Sequence, residues 1–264
     1  MSLQPSAVSP YRLLGADEPH PLEVFNPQGG SDFFLICEHA GRLLPASLGT
    51  LGLDEADRSR HIAWDIGARD IAMELAALLD APLYMQRYSR LVCDCNRQPT
   101  VASFIPGISE TTVIPGNANL SPGEIGARVE EIFQPFHDAV TQALDARDAA
   151  GRRTILATVH SFTPVYKGVS RPWQIGVLFN RDTVLSPQIV RYLQANTDYE
   201  VGVNQPYAVG DDTDYAIPVH GEKRGYPCVE FEIRNDLTTG RQAVADWARL
   251  LAASLRDAAQ LVAV

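Results

Sequence analysis

Phe33-Phe34-Leu35-Ile36-Cys37-Glu38-His39-Ala40-Gly41 is the stretch that decides how this chain folds. Five apolar residues in succession leave neither face polar, which marks a strand covered on both sides, as in parallel sheets packed between helices. Glu38 and His39 follow at once, and ligands of open α/β sheets bind beyond the carboxyl ends of the strands. Working outward, apolar positions at helical period run from about 62 to 79 and stop before Pro82. Residues 83–85 and 90–95 read as strands. Ser121-Pro122-Gly123-Glu124 opens a long helix, with Ser121 as N-cap, Pro122 in the first turn and Glu124 closing a capping box; Gly151 ends it. Residues 154–159, 174–179, 199–203 and 228–233 read as strands, and 186–196 and the stretch after Gly240 as helices. This alternation predicts one α/β domain over 31–264, three layers deep, with a mixed, mostly parallel sheet. Residues 1–30, rich in Pro, Gly and Ser and without a period, predict an N-terminal arm. Two long loops remain, 98–120 and 204–225, and such lengths usually mark a job such as covering a site.

The 264 residues carry 22 Lys plus Arg against 32 Asp plus Glu, a formal charge of −10. That balance argues against a nucleic-acid binder, which needs clustered cations to displace counterions, and against a polybasic membrane-surface protein. No apolar stretch is long enough for a bilayer-spanning helix, and no basic start with an apolar block suggests a secretory signal. Cys37, Cys93, Cys95 and Cys228 all sit in strand-like apolar runs, so buried free thiols and a cytoplasmic location are expected. Cys93-x-Cys95 lacks the spacing of a zinc site. A homodimer is the base-rate expectation.

Polar residues cluster where the strands end: Glu38-His39, Asp94-Cys95-Asn96-Arg97, His160-Ser161-Phe162-Thr163-Pro164, and Glu230-Phe231-Glu232-Ile233-Arg234. His61-x-x-x-Asp65 reads as the start of a helix with both side chains on one face. Two histidines at separate strand ends with carboxylates at hand match a mononuclear zinc site of two imidazoles and one carboxylate, its fourth position open to water. Each residue also has a plain reading: a hydrogen-bonded loop histidine, an Asp65 complementing a helix dipole, an Arg97 paired with Asp94, a Glu232 at the surface.

Taken in order, His39-Ala40-Gly41 with Pro45, Trp64-Asp65-x-Gly67-Ala68, Ser89-Arg90-Leu91 leading to Asp94-x-Asn96-Arg97, His160-Ser161-Phe162-Thr163-Pro164, Arg171-Pro172-Trp173 and Glu232-Ile233-Arg234-Asn235-Asp236-Leu237 resemble the N-formylglutamate amidohydrolase family, from about residue 33 to the last helix. Asp-x-Asn-Arg, His-Ser-aromatic and Phe-Glu-aliphatic-Arg occur in the same order in metallocarboxypeptidases, where the Arg polarises the scissile carbonyl, the His binds zinc and the Glu activates water. The resemblance implies a zinc-exopeptidase (phosphorylase/hydrolase)-like fold and one zinc ion held by His39 and His160, with Glu232 as general base and Arg97 polarising the carbonyl. Carboxypeptidases place a zinc-binding Glu three residues after the first His; here Arg42 stands there and cannot ligate. An acid at the place of Asp65 occurs in the formylglutamate family too, so Asp65 is the expected third ligand. Glu38 is the alternative, although on a strand its side chain alternates away from that of His39.

The implied substrate is a small N-acyl amino acid such as N-formylglutamate. Its two carboxylates call for arginine forks, and Arg90, Arg171 and Arg234 are the candidates, each with a salt bridge to a nearby acid as its other reading. His220, in the second long loop, is expected either to close over the substrate or to sit in a polar surface turn. His61 is expected beside the site rather than as a ligand. The Glu232-Ile233-Arg234-Asn235-Asp236-Leu237 ending resembles a divergent branch of the family, so hydrolysis of an N-acyl amino acid is the broader expectation and N-formylglutamate the narrower. Two rival readings stand beside it: a zinc exopeptidase on short peptides, and a non-catalytic binding protein on the same fold.

Overall fold

Along the chain run β1 (Leu22–Phe25), β2 (Phe33–Cys37), α1 (Glu55–Ser59), α2 (Ala68–Leu79), β3 (Leu83–Gln86), the small hairpin β4 (Ile108–Ser109) and β5 (Thr112–Val113), α3 (Pro122–Arg128), α4 (Gln134–Ala149), β6 (Ile155–Phe162), a second hairpin of β7 (Val165–Tyr166) and β8 (Val169–Ser170), β9 (Ile175–Leu178), α5 (Leu185–Asn196), β10 (Val201–Val203), β11 (Cys228–Arg234) and α6 (Arg241–Ala259). This computed structural model describes residues 11–262.

Seven of the strands form one sheet in the order β1-β3-β2-β6-β11-β9-β10. The neighbours β3-β2, β2-β6, β6-β11 and β9-β10 are parallel, while β1-β3 and β11-β9 are antiparallel. The sheet is thus mixed and mostly parallel, as the alternation of elements requires. Strand β2 shows why its five apolar residues carry no polar face. Phe33, Leu35 and Cys37 pack with α2, α5 and α6 on one side. Phe34 and Ile36 pack with Ala127 of α3 and Phe136, Val140 and Leu144 of α4 on the other. Each such side chain, once fully buried, contributes roughly 1.5–3 kcal/mol. All four cysteines are buried and unbridged.

Three expectations from the sequence need correction. Residues 90–95 form no strand. Their backbone closes on itself through turn bonds, Val92 N–H to Ser89 O (2.9 Å) and Arg97 N–H to Asp94 O (3.0 Å). The helix expected from about 62 begins only at Ala68, because Gly67 adopts the left-handed region (φ 81°) and residues 61–67 make turns. A Cβ on Gly67 would come within 2.2 Å of Thr238 Oγ1, so the position requires glycine. The stretch before Phe33 contains an edge strand, β1, whose four half-buried residues carry no alternation to read. Ahead of it Leu13 is buried, and the N–H groups of Leu13 and Leu14 donate to the Glu131 carboxylate. Residues 1–10 of the expected arm lie outside the described residues.

The capping box forms as read, with Ser121 and Glu124 each bonding the other's backbone N–H. The long helix behind it is interrupted by a π-helical turn over Val129–Phe133. Loop 98–120 is tied down. Asn117 donates to Leu91 O (2.8 Å) and Pro106 O (2.9 Å) and accepts from the fully buried Arg128 (2.7 Å). The β4–β5 hairpin of this loop touches the β7–β8 hairpin through Lys167 N–H to Glu110 (3.1 Å). The carboxyl ends of β2, β6 and β11 therefore open into a cleft between these loops.

Candidate metal centre

His39 follows β2, His160 lies within β6, and Asp65 sits in the turn before α2, where its N–H donates to His39 O (3.0 Å). All three side chains are buried. His160 Nδ1 stands 3.1 Å from His39 Nδ1 and 2.8 Å from Asp65 Oδ2, and His39 Nδ1 is 3.3 Å from the same oxygen. These three donor atoms converge within coordinating reach of one point. Ligands about 2.0–2.1 Å from a tetrahedral ion lie about 3.3 Å from one another, so the spacing fits a small divalent metal.

The chemistry of the donors argues the same. His39 Nε2 lies 2.7 Å from Asp94 Oδ1, an acceptor, so its proton belongs on Nε2 and its Nδ1 carries a lone pair. His160 Nε2 faces Glu38 Oε2 at 3.1 Å, although off line for a hydrogen bond, and among the described residues neither Glu38 carboxylate oxygen has a hydrogen-bond partner. With that proton on Nε2, the Nδ1 of His160 is also a lone pair. Two lone pairs and a carboxylate oxygen then meet, which a cation between them resolves. An acid behind each metal-binding imidazole is the usual way to fix its tautomer and raise its basicity.

The electrostatics agree. Burial alone would lower the pKa of His160, but Glu38, Glu230 and Asp65 outweigh it and hold the imidazole well above its ordinary value. Burial would likewise raise Asp94, yet Arg90 and His39 hold it well below the carboxylate range. The site calls for positive charge, as a proton or a metal.

A cleft of about 220 Å³ opens beside the three donors, lined by Glu232, Glu230, Arg97, Arg90, His61 and Tyr207 among others. Glu232 pairs in register with His160 across β11 and β6. Its Oε2 is buried with no hydrogen-bond partner. Burial pushes its carboxyl well above the usual range; Asp65 and Glu230 add to this, against His160 and Arg90. Arg97 Nη1 is held by Asp214 and by Asn96 O.

The other residues singled out from the sequence fall in different places. Arg90 clamps the centre itself. Its Nε and Nη2 bond Asp94 Oδ2 (2.9 and 2.5 Å) and its Nη1 bonds Asp65 Oδ1 (3.3 Å). Its salt-bridge reading is the one the geometry gives. Arg234 does not line the cleft; it bonds Asp236 (2.9 Å) and Pro172 O (3.2 Å) beyond the end of β11. His220 neither closes over the cleft nor lies in a surface turn. It is buried in the turn Ala216–Gly221, with Nε2 at 2.9 Å from His137 Nδ1, because that segment packs against α4 instead of hanging free. His61 lines the cleft, and its nearest acid is Glu110 at 3.4 Å. Arg171 is buried against the rings of Tyr166 and Tyr207, which line the cleft, and bonds Tyr207 Oη (2.9 Å), but it does not itself line the cleft. Glu38 stands behind His160 and Asp65 supplies the converging oxygen.

Sequence reasoning offered Asp94 only as a partner for Arg97, whereas it bonds His39 and Arg90 and Arg97 pairs with Asp214, and it gave no role to Glu230, Asp214 or Tyr207. Glu230 carries a signal, since it lies two residues before Glu232 and strand period puts both on one face. Asp214 and Tyr207 carry none, being reached only through the folded loop.

Residues 31–239 match the family described as N-formylglutamate amidohydrolase. Among solved structures, gene product Atu2144 from Agrobacterium tumefaciens is 37% identical, with a TM-score of 0.91 and coverage of 94% of this chain and 98% of that one. The N-formylglutamate amidohydrolase from Ralstonia eutropha JMP134 is 18% identical, with a TM-score of 0.68 and coverage of 92% and 98%, a likeness of fold. No curated protein matches the sequence. With four-fifths of its length inside that match, the chain belongs to the N-formylglutamate amidohydrolase family, hydrolases acting on amides.

Proposed function

We propose that the protein hydrolyses the linear amide of a small N-acyl amino acid with the help of one zinc ion held by His39 Nδ1, His160 Nδ1 and Asp65 Oδ2. The observation that carries this reading is the meeting of those three donors, 2.8–3.3 Å apart, beside the unpartnered carboxylate oxygen of Glu232. Zinc bound there supplies Lewis acidity, polarising an amide carbonyl and lowering the pKa of water toward about 7.

The chain's own residues do the rest. Glu232 takes a proton from the attacking water at its free oxygen and passes it to the departing amine nitrogen. Arg97, fixed by Asp214, keeps further N–H groups for the carbonyl oxygen as it gains negative charge, and one such donor is commonly worth about 3 kcal/mol. Asp94 and Glu38 hold the two imidazoles from behind, and Arg90 holds Asp94 and Asp65. A cleft of about 220 Å³ suits a single acyl amino acid better than a longer peptide.

Glu232→Gln tests the assignment. The variant should bind zinc with wild-type stoichiometry and lose turnover of N-formyl and N-acetyl amino acids about a hundred- to ten-thousand-fold. Near-normal turnover would remove Glu232 from the reaction.

A further inference from the structure

Tyr207 and Arg171 join two loops that border the cleft. Arg171 follows β8, where its N–H donates to Pro164 O (2.8 Å), and it is buried. Its guanidinium carbon sits 4.5 Å from the ring of Tyr166 and 4.7 Å from that of Tyr207. Among the described residues its side chain makes one hydrogen bond, from Nη1 to Tyr207 Oη (2.9 Å). Tyr207 comes from the loop 204–225 and, unlike Arg171, lines the cleft, together with His39, Asp65, His160 and Glu232.

The direction of that bond decides where the phenol hydrogen goes. A guanidinium has only N–H donors and no acceptor, so Tyr207 Oη accepts and its own hydrogen stays free. Among the described residues nothing takes that hydrogen, and Glu232 Oε2, in the same cleft, is itself without a hydrogen-bond partner. Partial burial and the Glu232 carboxyl raise the phenol's pKa, against Arg171 and Arg90, so the hydroxyl keeps its hydrogen at neutral pH. An amide bound between Tyr207 and Glu232 would meet a hydrogen-bond donor on one side and the base for the attacking water on the other. Arg171 strengthens the donor by polarising its oxygen, and its packing on the ring face holds the phenol in place.

We infer that Tyr207 is a further catalytic residue, its O–H donating to the carbonyl oxygen of the scissile amide as that oxygen gains negative charge, and that Arg171 is the positioning residue that aims it. This rests on the proposed amide hydrolysis and adds a second donor to Arg97. No proton changes hands, since the phenol donates a hydrogen bond and keeps its hydrogen. Such a donor acts on the transition state, so its loss is read in kcat rather than in KM.

The zinc-loaded full chain is assayed with the N-formyl and N-acetyl derivatives of glutamate, glutamine and leucine. Tyr207→Phe, which removes one oxygen, should keep its zinc, lower kcat about tenfold or more and move KM less than about threefold. Arg171→Met should lower kcat about fivefold or more in the wild-type background but less than about twofold in Tyr207→Phe, because its effect runs through the phenol. A merely structural arginine would cost the same in both. An unchanged kcat in Tyr207→Phe, or a loss confined to KM, would overturn the catalytic role. An equal loss from Arg171→Met in both backgrounds would overturn the positioning role. The N-methylphosphonyl derivatives of the same amino acids, tetrahedral where the amide carbon is flat, are titrated calorimetrically into wild type and Tyr207→Phe. They should bind the variant about tenfold or more weakly. If the wild type hydrolyses nothing, the hydrolytic reading fails; weaker binding to Tyr207→Phe then still upholds the contact with a tetrahedral centre, and equal binding or none overturns it too.

Discussion

Among the described residues, two pairs of buried imidazoles stand in near contact. His39 and His160 meet Nδ1 to Nδ1 at 3.1 Å, and His137 and His220 meet Nδ1 to Nε2 at 2.9 Å. Distance does not separate them; surroundings do. Asp65, Asp94 and Glu38 surround the first pair. Phe133, Phe136 and Tyr215 surround the second, and its one outward bond goes to the backbone, His137 Nε2–H to Cys95 O (2.8 Å). That bond makes His137 Nδ1 an acceptor for His220 Nε2–H, so the second pair is a self-consistent neutral chain. In the first pair the acids behind both rings turn two lone pairs toward each other. Carboxylates therefore make one pair a cation site, and aromatic packing makes the other a neutral strut.

The sharpest way to break this contrast is substitution within each pair. His160→Ala should lower bound zinc from one ion per chain to near none and reduce turnover by about a thousandfold or more, measured by metal analysis and rate. His220→Gln, assayed identically, should change neither by more than about threefold. Equal losses in both would erase the distinction.

Next comes the acid behind His39. Asp94→Asn keeps the shape but removes the charge, and zinc affinity from chelator competition should fall about 10–100-fold. An unchanged affinity would show that Asp94 does not hold His39 in place for the metal.

The neutral pair should announce itself in acid. Burial, with Arg224 adding and Glu38 opposing, pushes His220 down to about 4 from 6.5. His137 is also held well below its ordinary value, by burial and by His220. An unfolded histidine binds its proton below about 6.5, whereas the folded one resists until about 4, so the stability contributed is complete above pH 6.5 and lost as pH falls toward 4. The loss through His220 amounts to about 3 kcal/mol. Unfolding midpoints in denaturant should fall across that window, with a shallower slope in His220→Gln. Parallel slopes would contradict a neutral buried pair.

The smallest effect belongs to the aromatic wall. Phe133→Leu should cost about 1 kcal/mol of stability and leave zinc affinity unchanged.

Much of this was readable in the chain itself. The apolar run of β2 and the alternation of elements demanded a covered, mostly parallel sheet, and parallel sheets gather their strand ends. That placed His39, His160 and Glu232 near one another before any coordinate. Strand alternation also turned Glu38 away from His39, but the same alternation aims it at the ring of His160 on the neighbouring strand, which needs the pairing of β2 with β6 to be seen. Of the arginine partners, a nearby acid for Arg90 was readable and is Asp94, met through a turn, but the partner of Arg97 was not, because it is Asp214 across 117 residues. His220 was misplaced because the composition of 204–225 reads as an open loop, while Ala216–Gly221 folds into a buried turn against α4.

The most direct measurement of the central claim is metal dependence. Purified protein should carry one zinc per chain, lose amide hydrolysis when the ion is stripped by a chelator, and regain it on adding one equivalent of zinc. Full turnover by protein shown to be metal-free, with chelator present, would contradict the account.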